Sequence, residues 1–383
     1  MISIAITFIY SYILFLQKSK KIIFLSILSI LSIFLLYLIS LLENVNLPFE
    51  LTYGSDAFYY WLEISSSTSF IKCSESLAPF HVCVNSANIL FSGNGTHVQV
   101  VILSILTYVL MHLLLYNKVK LQGKDVVFFI FLFVFLSNFI VVLTVIRGMK
   151  EVWVLLSYVL AYFSLLNFFD RRFLLSIIYL SLALFVSANL KPYGFIFVLT
   201  PLLLTVFIYR FTKIKLVILL FMVLLVFVVL KDFFGMLFDV SSAHAKLNDA
   251  SGDFSLSSFF RFILGPGPYY SLEQMLYSNR FLAYTKTGDM MIFLGSVQWY
   301  ILLSLFFCLV VFNIRKFLDH LKSPLIFFYL SAVFYIFVYA ITYDGTGDTR
   351  HRAVMYFLLS VPFAVFIFSN FQGTINKFTR ENT

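Results

Sequence analysis

The chain has 383 residues, of which 61% are hydrophobic and only 12% are charged, and its mean hydropathy is +0.96. Soluble domains are typically about 45–50% apolar and about 25% charged. This composition excludes a soluble globular protein and predicts a chain that crosses the membrane many times. The net charge of +9 is dispersed over short segments without a basic-aromatic cluster, so it predicts no nucleic-acid partner.

Eleven apolar stretches, give or take one, approach the roughly 17–25 residues that a helix needs to cross hydrocarbon. They lie near residues 2–16, 22–42, 97–116, 126–147, 152–168, 173–189, 195–209, 216–233, 294–312, 324–342 and 353–370. No small-residue cleavage site follows the first stretch, which argues against a removable signal peptide. The predicted fold is an all-α integral membrane protein of about 11 (10–12) transmembrane helices, with residues 1–383 forming a single polytopic membrane domain.

The connections between these stretches alternate in charge. One set carries 16 Lys and Arg against 4 Asp and Glu, and the other carries 11 against 14. Because basic residues are retained in the cytoplasm, the first set is predicted to lie inside, with the N-terminus outside and the C-terminus inside. The outer set includes two large loops, 43–96 and 234–293, whereas every cytoplasmic loop is short. A chain that keeps its irregular backbone on one side is expected to act on that side.

Cysteines are few. Cys73 and Cys83 lie ten residues apart in the first outer loop. A disulfide in an oxidising compartment and a pair of free thiols both fit this spacing. Cys308 falls inside a span and is expected to pack there.

Polar side chains interrupt the spans rarely, mainly at His112, Asn138 and Asn167. Transporters usually hold polar groups and broken helices near the membrane midplane. In this chain the polar groups gather at the outer ends of the spans instead.

Five short polar stretches fall on the predicted outer face. They are YGSDAFYYW (53–61), RGMKE (147–151), LKPYG (190–194), RFILGPGPYY (261–270) and YDGTGDTRHR (343–352). Against the positive-inside trend, these stretches carry six candidate anion-binding residues: Arg147, Lys150, Lys191, Arg261, Arg350 and Arg352. A single Lys at a helix end is simply explained by snorkelling toward lipid headgroups, whereas six outer cations favour a shared anionic ligand.

A lipid-linked pyrophosphate suits such a cluster, because it lies at the membrane boundary, carries two or more negative charges and accepts bidentate hydrogen bonds from Arg. If it is also a leaving group, the same cations stabilise the charge that develops in the transition state. Glu151 is expected to pair with Lys150 or Arg147.

Asp56 and His351 are the candidate catalytic residues. Asp56 lies among aromatic residues that suit sugar faces, and its carboxylate is able to accept a proton from an acceptor hydroxyl. The alternative is a helix N-cap at Ser55 or Asp56. His351 lies between two arginines that disfavour its charged form, so a neutral base is predicted there.

The stretch DGTGD before His351 also allows two interpretations. Asp344 and Asp348, together with His351, have metal-ligating side chains, but the same residues are typical of an ordinary turn, which is the favoured interpretation. No metal is therefore predicted. The sequence contains no Walker loop, dinucleotide fingerprint, HExxH motif or nucleophile elbow.

Several of these stretches resemble the scattered signatures of multispan proteins from bacterial surface-polysaccharide clusters. They are KE at 150–151, KPYG at 191–194, RFILGPGPYY at 261–270 and TRHRAVMYFLLSVPF at 349–363. In them, and in its topology, the chain resembles the O-antigen or capsule repeat-unit polymerases (Wzy type) and the related GT-C glycosyltransferases that use lipid-linked sugars. The resemblance covers most of the chain, through short and loose motifs.

The resemblance implies a polymerase at the periplasmic face of the bacterial inner membrane. Its donor and acceptor would be undecaprenyl-pyrophosphate-linked glycans, with no nucleotide sugar, cofactor or metal, and a chain-length regulator would be a further partner. It assigns the pyrophosphate to outer-loop arginines, here Arg147, Arg261, Arg350 and Arg352. Twelve spans with both ends inside are usual in such polymerases, and this chain departs from that pattern. Asp56 matches the acidic motif of GT-C enzymes, although the paired second acid is not beside it.

Two other functions fit parts of the sequence. A GT-C transferase would add one sugar from a polyprenyl-phosphate donor and needs the same outer cations. A lipid-linked-glycan flippase or exporter predicts cationic residues along a central cavity, whereas the spans here are nearly free of charge.

Overall fold

The computed structural model describes residues 20–43, 55–67, 70–76, 78–92, 96–119, 126–190, 194–210, 263–265, 272–273, 276, 286–342 and 349–381. Within these ranges the regular structure is entirely helical, without a strand. The helices are, in chain order, α1 (Lys20–Glu43), α2 (Ser55–Ser66), α3 (Phe70–Ser74), α4 (Pro79–Ser92), α5 (His97–Lys118), α6 (Val126–Leu136), α7 (Phe139–Ile146), α8 (Glu151–Phe169), α9 (Phe173–Ala188), α10 (Gly194–Arg210), α11 (Lys286–Phe312), α12 (Ile314–Leu321), α13 (Ile326–Thr342) and α14 (Thr349–Glu381).

Five of the described helices, α1, α5, α8, α11 and α14, are long and apolar enough to cross a membrane. The number rises to seven if the bent pairs α6–α7 and α12–α13 each count as one span, and α9 and α10 are shorter apolar helices. The described part is therefore that of a multi-pass helical membrane protein. The predicted stretches at 2–16 and 216–233 lie outside the described residues, so the count of eleven stays a prediction.

Helix α14 forms the centre of the bundle and α1 lies at its edge. In their most apolar stretches, 83% of the α14 residues are buried but only 28% of the α1 residues. Stacked rings such as Phe306 of α11 on Phe363 of α14, with centroids 3.8 Å apart, fill the centre. Because lipid tails are as apolar as side chains, such close packing is what holds membrane helices together. The exposed Phe24, Leu31 and Leu35 of α1 suit contact with lipid.

Contacts between helix ends show which connections lie at the same end of the helix bundle. At one end of the bundle, Glu43 at the end of α1 accepts hydrogen bonds from the backbone amides of Lys286 and Thr287, both at 2.9 Å. At the same end, the amide of Phe80 donates to the carbonyl of Asn189 at 3.0 Å. We call this the outer end, after the predicted orientation.

Basic residues gather at the opposite, inner end. Lys118 Nζ lies 5.9 Å from the ring centroid of Phe163, and Lys316 Nζ donates to Asn370 Oδ1 at 3.3 Å. The contacts at each end join connections that the distribution of Lys and Arg assigns to the same side of the membrane.

The stretch 126–147, which is predicted as one span, forms two helices, because the chain breaks at Asn138 and the halves meet at 72°. Side chains satisfy the backbone groups that the break exposes. Tyr108 Oη donates to the carbonyl of Leu136 at 2.8 Å, Asn138 Nδ2 donates to the carbonyl of Gly295 at 2.8 Å, and Gln298 Oε1 accepts from the first amide of α7 at 3.3 Å. Broken helices are tolerated in hydrocarbon only where the protein supplies such partners.

Gly295 is what lets α11 approach the break this closely. A Cβ atom at this position would lie 2.8 Å from both Asn138 Oδ1 and the backbone nitrogen of Ile140. Those two atoms also bond each other at 2.9 Å, so Asn138 caps α7 as well as binding α11.

We expect Asn138→Ala to lower the thermal unfolding midpoint in detergent micelles, because it removes the cap of α7 and the bond to α11 at a cost of about 1–2 kcal/mol. Asn189→Ala is the matched control, since its amide donates to the Phe185 carbonyl at an exposed position. An Asn138→Ala midpoint equal to that of the control would show that the break does not depend on this side chain.

Candidate active site

Helices α2, α3 and α4 pack over the outer end of α5, and we call them the outer cap. Ser86 Oγ donates to the carbonyl of Ile64 at 3.1 Å, which joins α4 to α2, and Ile64 packs in one apolar cluster with Val100 of α5. Cys73 and Cys83 form a disulfide that joins α3 to α4. Of the two alternatives for these cysteines, the structure shows the disulfide.

The turn between α7 and α8 carries Arg147 and Lys150. Gly148 adopts a φ of 63°, a left-handed conformation that favours glycine. A Cβ atom there would lie 2.8 Å from Val100 Cγ1 and 3.4 Å from His97 Nε2. Glycine is therefore required both for the turn and for its close approach to α5. The turn holds both cations half-buried at the outer end of the bundle.

Aromatic side chains of α2 lie against this turn. Lys150 Nζ is 5.1 Å from the ring centroid of Tyr60, a cation–π distance. The Trp61 ring meets the His97 ring edge-on, with centroids 5.8 Å apart. Tyr60 and Trp61 come from the stretch YGSDAFYYW, so the structure brings this predicted stretch and RGMKE together.

His81 of α4 is enclosed in the same region, with 0% of its surface exposed. Its Nδ1 atom lies 3.1 Å from Trp153 Nε1 and 3.2 Å from Asn85 Nδ2. Burial, helped by the positive charge of Lys150 and by the neighbouring His97, lowers the pKa of His81 from 6.5 to about 3. His81 is therefore neutral at physiological pH. We give the name cap site to Tyr60, His81, His97, Arg147, Lys150 and Trp153.

Glu151 does not pair as predicted. It is 0% exposed, and neither of its carboxylate oxygens has a hydrogen-bond partner among the described residues. The expected pairing with Lys150 or Arg147 is wrong, because consecutive residues at a helix start point in different directions. Lys150 reaches Tyr60, whereas Glu151 lies on the helix face of Val154, one turn further along α8.

A second group of predicted residues lies at the outer end of α14, and we call it the Arg352 cluster. His351 is 3% exposed and its Nδ1 is 3.1 Å from Tyr335 Oη, while Arg352 is 6% exposed. A Cβ atom at Gly265, which has a φ of 72°, would clash with Tyr356 Oη and lie 3.6 Å from Arg352 Nη1. The structure thus brings RFILGPGPYY and TRHR together.

A cavity of about 20 Å³, enough for roughly one water molecule, lies between α8, α10 and α13. It is lined by Val154, Ser157, Tyr158, Ser187, Leu190, Gly194, Phe197, Val198 and Tyr335. Tyr335 also belongs to the Arg352 cluster, so the cavity borders that cluster. Helix α8 therefore lines this cavity and, through Trp153, also forms part of the cap site. The described candidate cations belong to two places in the chain: Arg147 and Lys150 to the turn before α8, and Arg352 to the outer end of α14.

The stretch LKPYG has a packing role at both of its described residues. Leu190 is buried beside Trp153 and Leu103. A Cβ atom at Gly194 would clash with the carbonyl oxygen of Ser187, so glycine is needed where α9 and α10 approach each other. These two residues are explained by helix packing.

Several candidates have side chains outside the part of the chain that the structure describes. They are Asp56, Lys191, Arg261, Asp344, Asp348 and Arg350. The backbone of Asp56 lies in the first turn of α2, which begins at Ser55. Ser55 and Asp56 thus lie inside the helix and not at the capping position before it, and the role of the Asp56 carboxylate stays a prediction.

Sequence reasoning missed His81, Asn85, His97 and Trp153. A weak signal was present, because His81 and Asn85 are four residues apart in PFHVCVNSAN and share one face if that segment is helical. The segment is too short and too polar to be a span, so no helix was predicted there. Only its packing against α8 gives these residues a common site.

Known family models, curated proteins and solved structures contain no match to this chain. Its function is therefore inferred from its sites, since a fold class such as a helical bundle hosts many functions.

The unfolding free energy of the protein should fall as the pH drops from 6.5 toward 3. In this window the unfolded chain binds a proton at His81 that the folded chain does not bind, so the His81 contribution decreases by up to about 1.4 kcal/mol per pH unit. We expect His81→Phe to show a shallower dependence in denaturant unfolding followed by tryptophan fluorescence. Identical slopes for the two proteins would contradict a neutral, buried His81.

Proposed function

We propose that this chain is a membrane glycosyltransferase that polymerises undecaprenyl-pyrophosphate-linked repeat units at the periplasmic face of the bacterial inner membrane. The observation that carries the proposal is the turn that holds Arg147 and Lys150 half-buried at the outer end, against the aromatic rings of the outer cap. The resemblance of the chain's short outer motifs to repeat-unit polymerases points in the same direction.

The electrostatics of the cap site favour an anionic, membrane-bound ligand. Cations that are partly removed from water attract an anion more strongly than exposed cations do, and Arg147 adds the geometry for two parallel hydrogen bonds to a phosphate. The carboxylate nearest in sequence, Glu151, is buried on another face of α8. Tyr60 and Trp61 offer flat apolar surfaces that suit the faces of sugar rings.

The proposed reaction moves a glycan from one lipid to another. A hydroxyl oxygen of the acceptor sugar attacks the anomeric carbon of the donor glycan, and the bond from that carbon to the pyrophosphate oxygen breaks. Undecaprenyl pyrophosphate leaves with the bonding electrons, and the hydroxyl proton passes to a base, for which Asp56 and His351 are the candidates. The cations stabilise the negative charge that grows on the leaving group.

Two further observations support the outer location of this chemistry. The Cys73–Cys83 disulfide fits an oxidising compartment such as the periplasm. The break at Asn138 is filled by neighbouring side chains, and the five described helices that are long enough to span carry charged residues only near their ends. A flippase, which needs a polar path through the bundle, is therefore disfavoured. A single-sugar transferase remains the alternative, since it needs the same cations.

The proposal is tested by the length of the surface glycan. In a strain that lacks this protein, long chains should be lost while single repeats are still displayed. Normal length with one sugar missing would support the single-sugar transferase, and loss of all display would support a flippase. Either result would overturn the polymerase. A chain-length regulator, implied as a partner by the resemblance, should have no effect in the deletion strain.

We expect Arg147→Ala and Lys150→Ala to reduce polymerisation by about 10²–10³-fold, because each removes charge stabilisation from the leaving group. Arg261→Ala is expected to have the same effect. Lys286→Ala is the control, since this Lys is exposed at the same end and belongs to α11, which contributes no residue to the cap site. The readout is restoration of long glycan chains at matched levels of inserted protein. Full restoration by Arg147→Ala and Lys150→Ala would refute the pyrophosphate assignment.

A further inference from the structure

The position of the proton on His81 follows from its partners. The indole nitrogen of Trp153 is only a donor, and it lies 3.1 Å from His81 Nδ1. That ring nitrogen must therefore accept, and it also lies 3.2 Å from the amide nitrogen of Asn85. The neutral imidazole consequently carries its proton on Nε2. With Nδ1 occupied, His81 is unsuited to act as a base and well suited to act as a donor.

This Nε2 donor has no partner in the part of the chain that the structure describes. Among the described residues no group accepts a hydrogen bond from it, although His81 is wholly buried. An unmatched buried donor is costly, and native proteins usually keep one only where a ligand or water uses it. The positive charge of Lys150 acts on the same imidazole, so an anion is favoured over a cation beside His81. Asn85 Oδ1 is likewise unpartnered and is an acceptor for a hydroxyl.

We propose that His81 is a substrate-binding residue whose Nε2–H donates to an anionic phosphate oxygen of the lipid-linked pyrophosphate held by Arg147 and Lys150. This inference rests on the proposed function and adds a ligand contact that neither motif nor charge had indicated. Trp153 and Asn85 are positioning residues, because they hold the imidazole in the donor tautomer. The low pKa of His81 keeps this donor neutral throughout the physiological range.

Access to Nε2 requires a movement of the outer cap, because His81 has no exposed surface. The contact of Lys150 with the Tyr60 ring joins the turn to α2 across this region. A phosphate competes with the ring for the ammonium group, so binding exchanges this contact for an ion pair and opens a path to His81.

The tautomer is tested without a ligand, by ¹⁵N NMR of histidine-labelled protein in detergent micelles. We expect the His81 signals to show a protonated Nε2 and an unprotonated Nδ1 at neutral pH. In the Trp153→Phe variant only Asn85 still donates to Nδ1, so the preference for this tautomer should weaken. A protonated Nδ1 in the wild-type protein would overturn the inference.

Binding is tested with farnesyl pyrophosphate and the full-length protein in nanodiscs of phosphatidylcholine. We expect His81→Phe to weaken binding about tenfold, the effect of one hydrogen bond to a charged group. His81→Gln, which keeps an N–H donor, should stay within about threefold of the wild type. His320→Phe is the control, because this His is part of α12 at the inner end. If His81→Phe lowers the thermal midpoint, its loss of binding could come from lost stability, and the test then depends on His81→Gln and Trp153→Phe. In that case, an affinity of Trp153→Phe equal to that of the wild type counts against the inference.

The outcomes separate the two proposals. No binding by the wild-type protein would overturn the proposed function. Equal affinities for the wild type and His81→Phe, with binding lost in Arg147→Ala, would overturn only the role of His81. An ordinary phospholipid offers the same phosphate chemistry, so the measurement is repeated in phosphatidylglycerol nanodiscs. If the wild-type protein no longer binds farnesyl pyrophosphate in phosphatidylglycerol nanodiscs but His81→Phe still does, then His81 contacts bulk lipid. The inference fails in that case.

Discussion

Hydrocarbon offers no hydrogen-bond partners, so every backbone group inside the membrane must be satisfied by the protein. The break between α6 and α7 shows how strictly this chain meets the constraint, because Tyr108, Asn138 and Gln298 all bond backbone groups there. The polar side chains near the break therefore serve the fold. With the spans closed in this way, the charged side chains of the long described helices lie near the helix ends.

At the outer end, the cap site includes residues of helices that are too short to be stable on their own. Helices α2 to α4 are short, and a disulfide joins two of them. The hydrogen bond from Trp153 to His81 and the contact of Lys150 with Tyr60 connect this cap to α8 and to the turn before it. The same few contacts thus hold the cap in place and set the chemistry of the cap site.

The two cation groups at this end fit the requirements of the proposed reaction. A polymerase handles two lipid-linked pyrophosphates, one as donor and one as acceptor, and the cap site and the Arg352 cluster each hold at least one buried or half-buried cation. Helix α8 contributes to the cap site and also to the cavity that borders the Arg352 cluster.

The sequence by itself determined the multi-pass membrane class, the apolar stretches that form the long described helices and the division of loops into two groups by charge. These properties depend on composition, on the length of apolar runs and on the distribution of charge, all of which are local. Only the tertiary structure decided the break at Asn138, the isolation of Glu151 and the donor tautomer of His81. The reason is physical, because each depends on side chains that packing brings together, as with His81 and Trp153, which lie 72 residues apart.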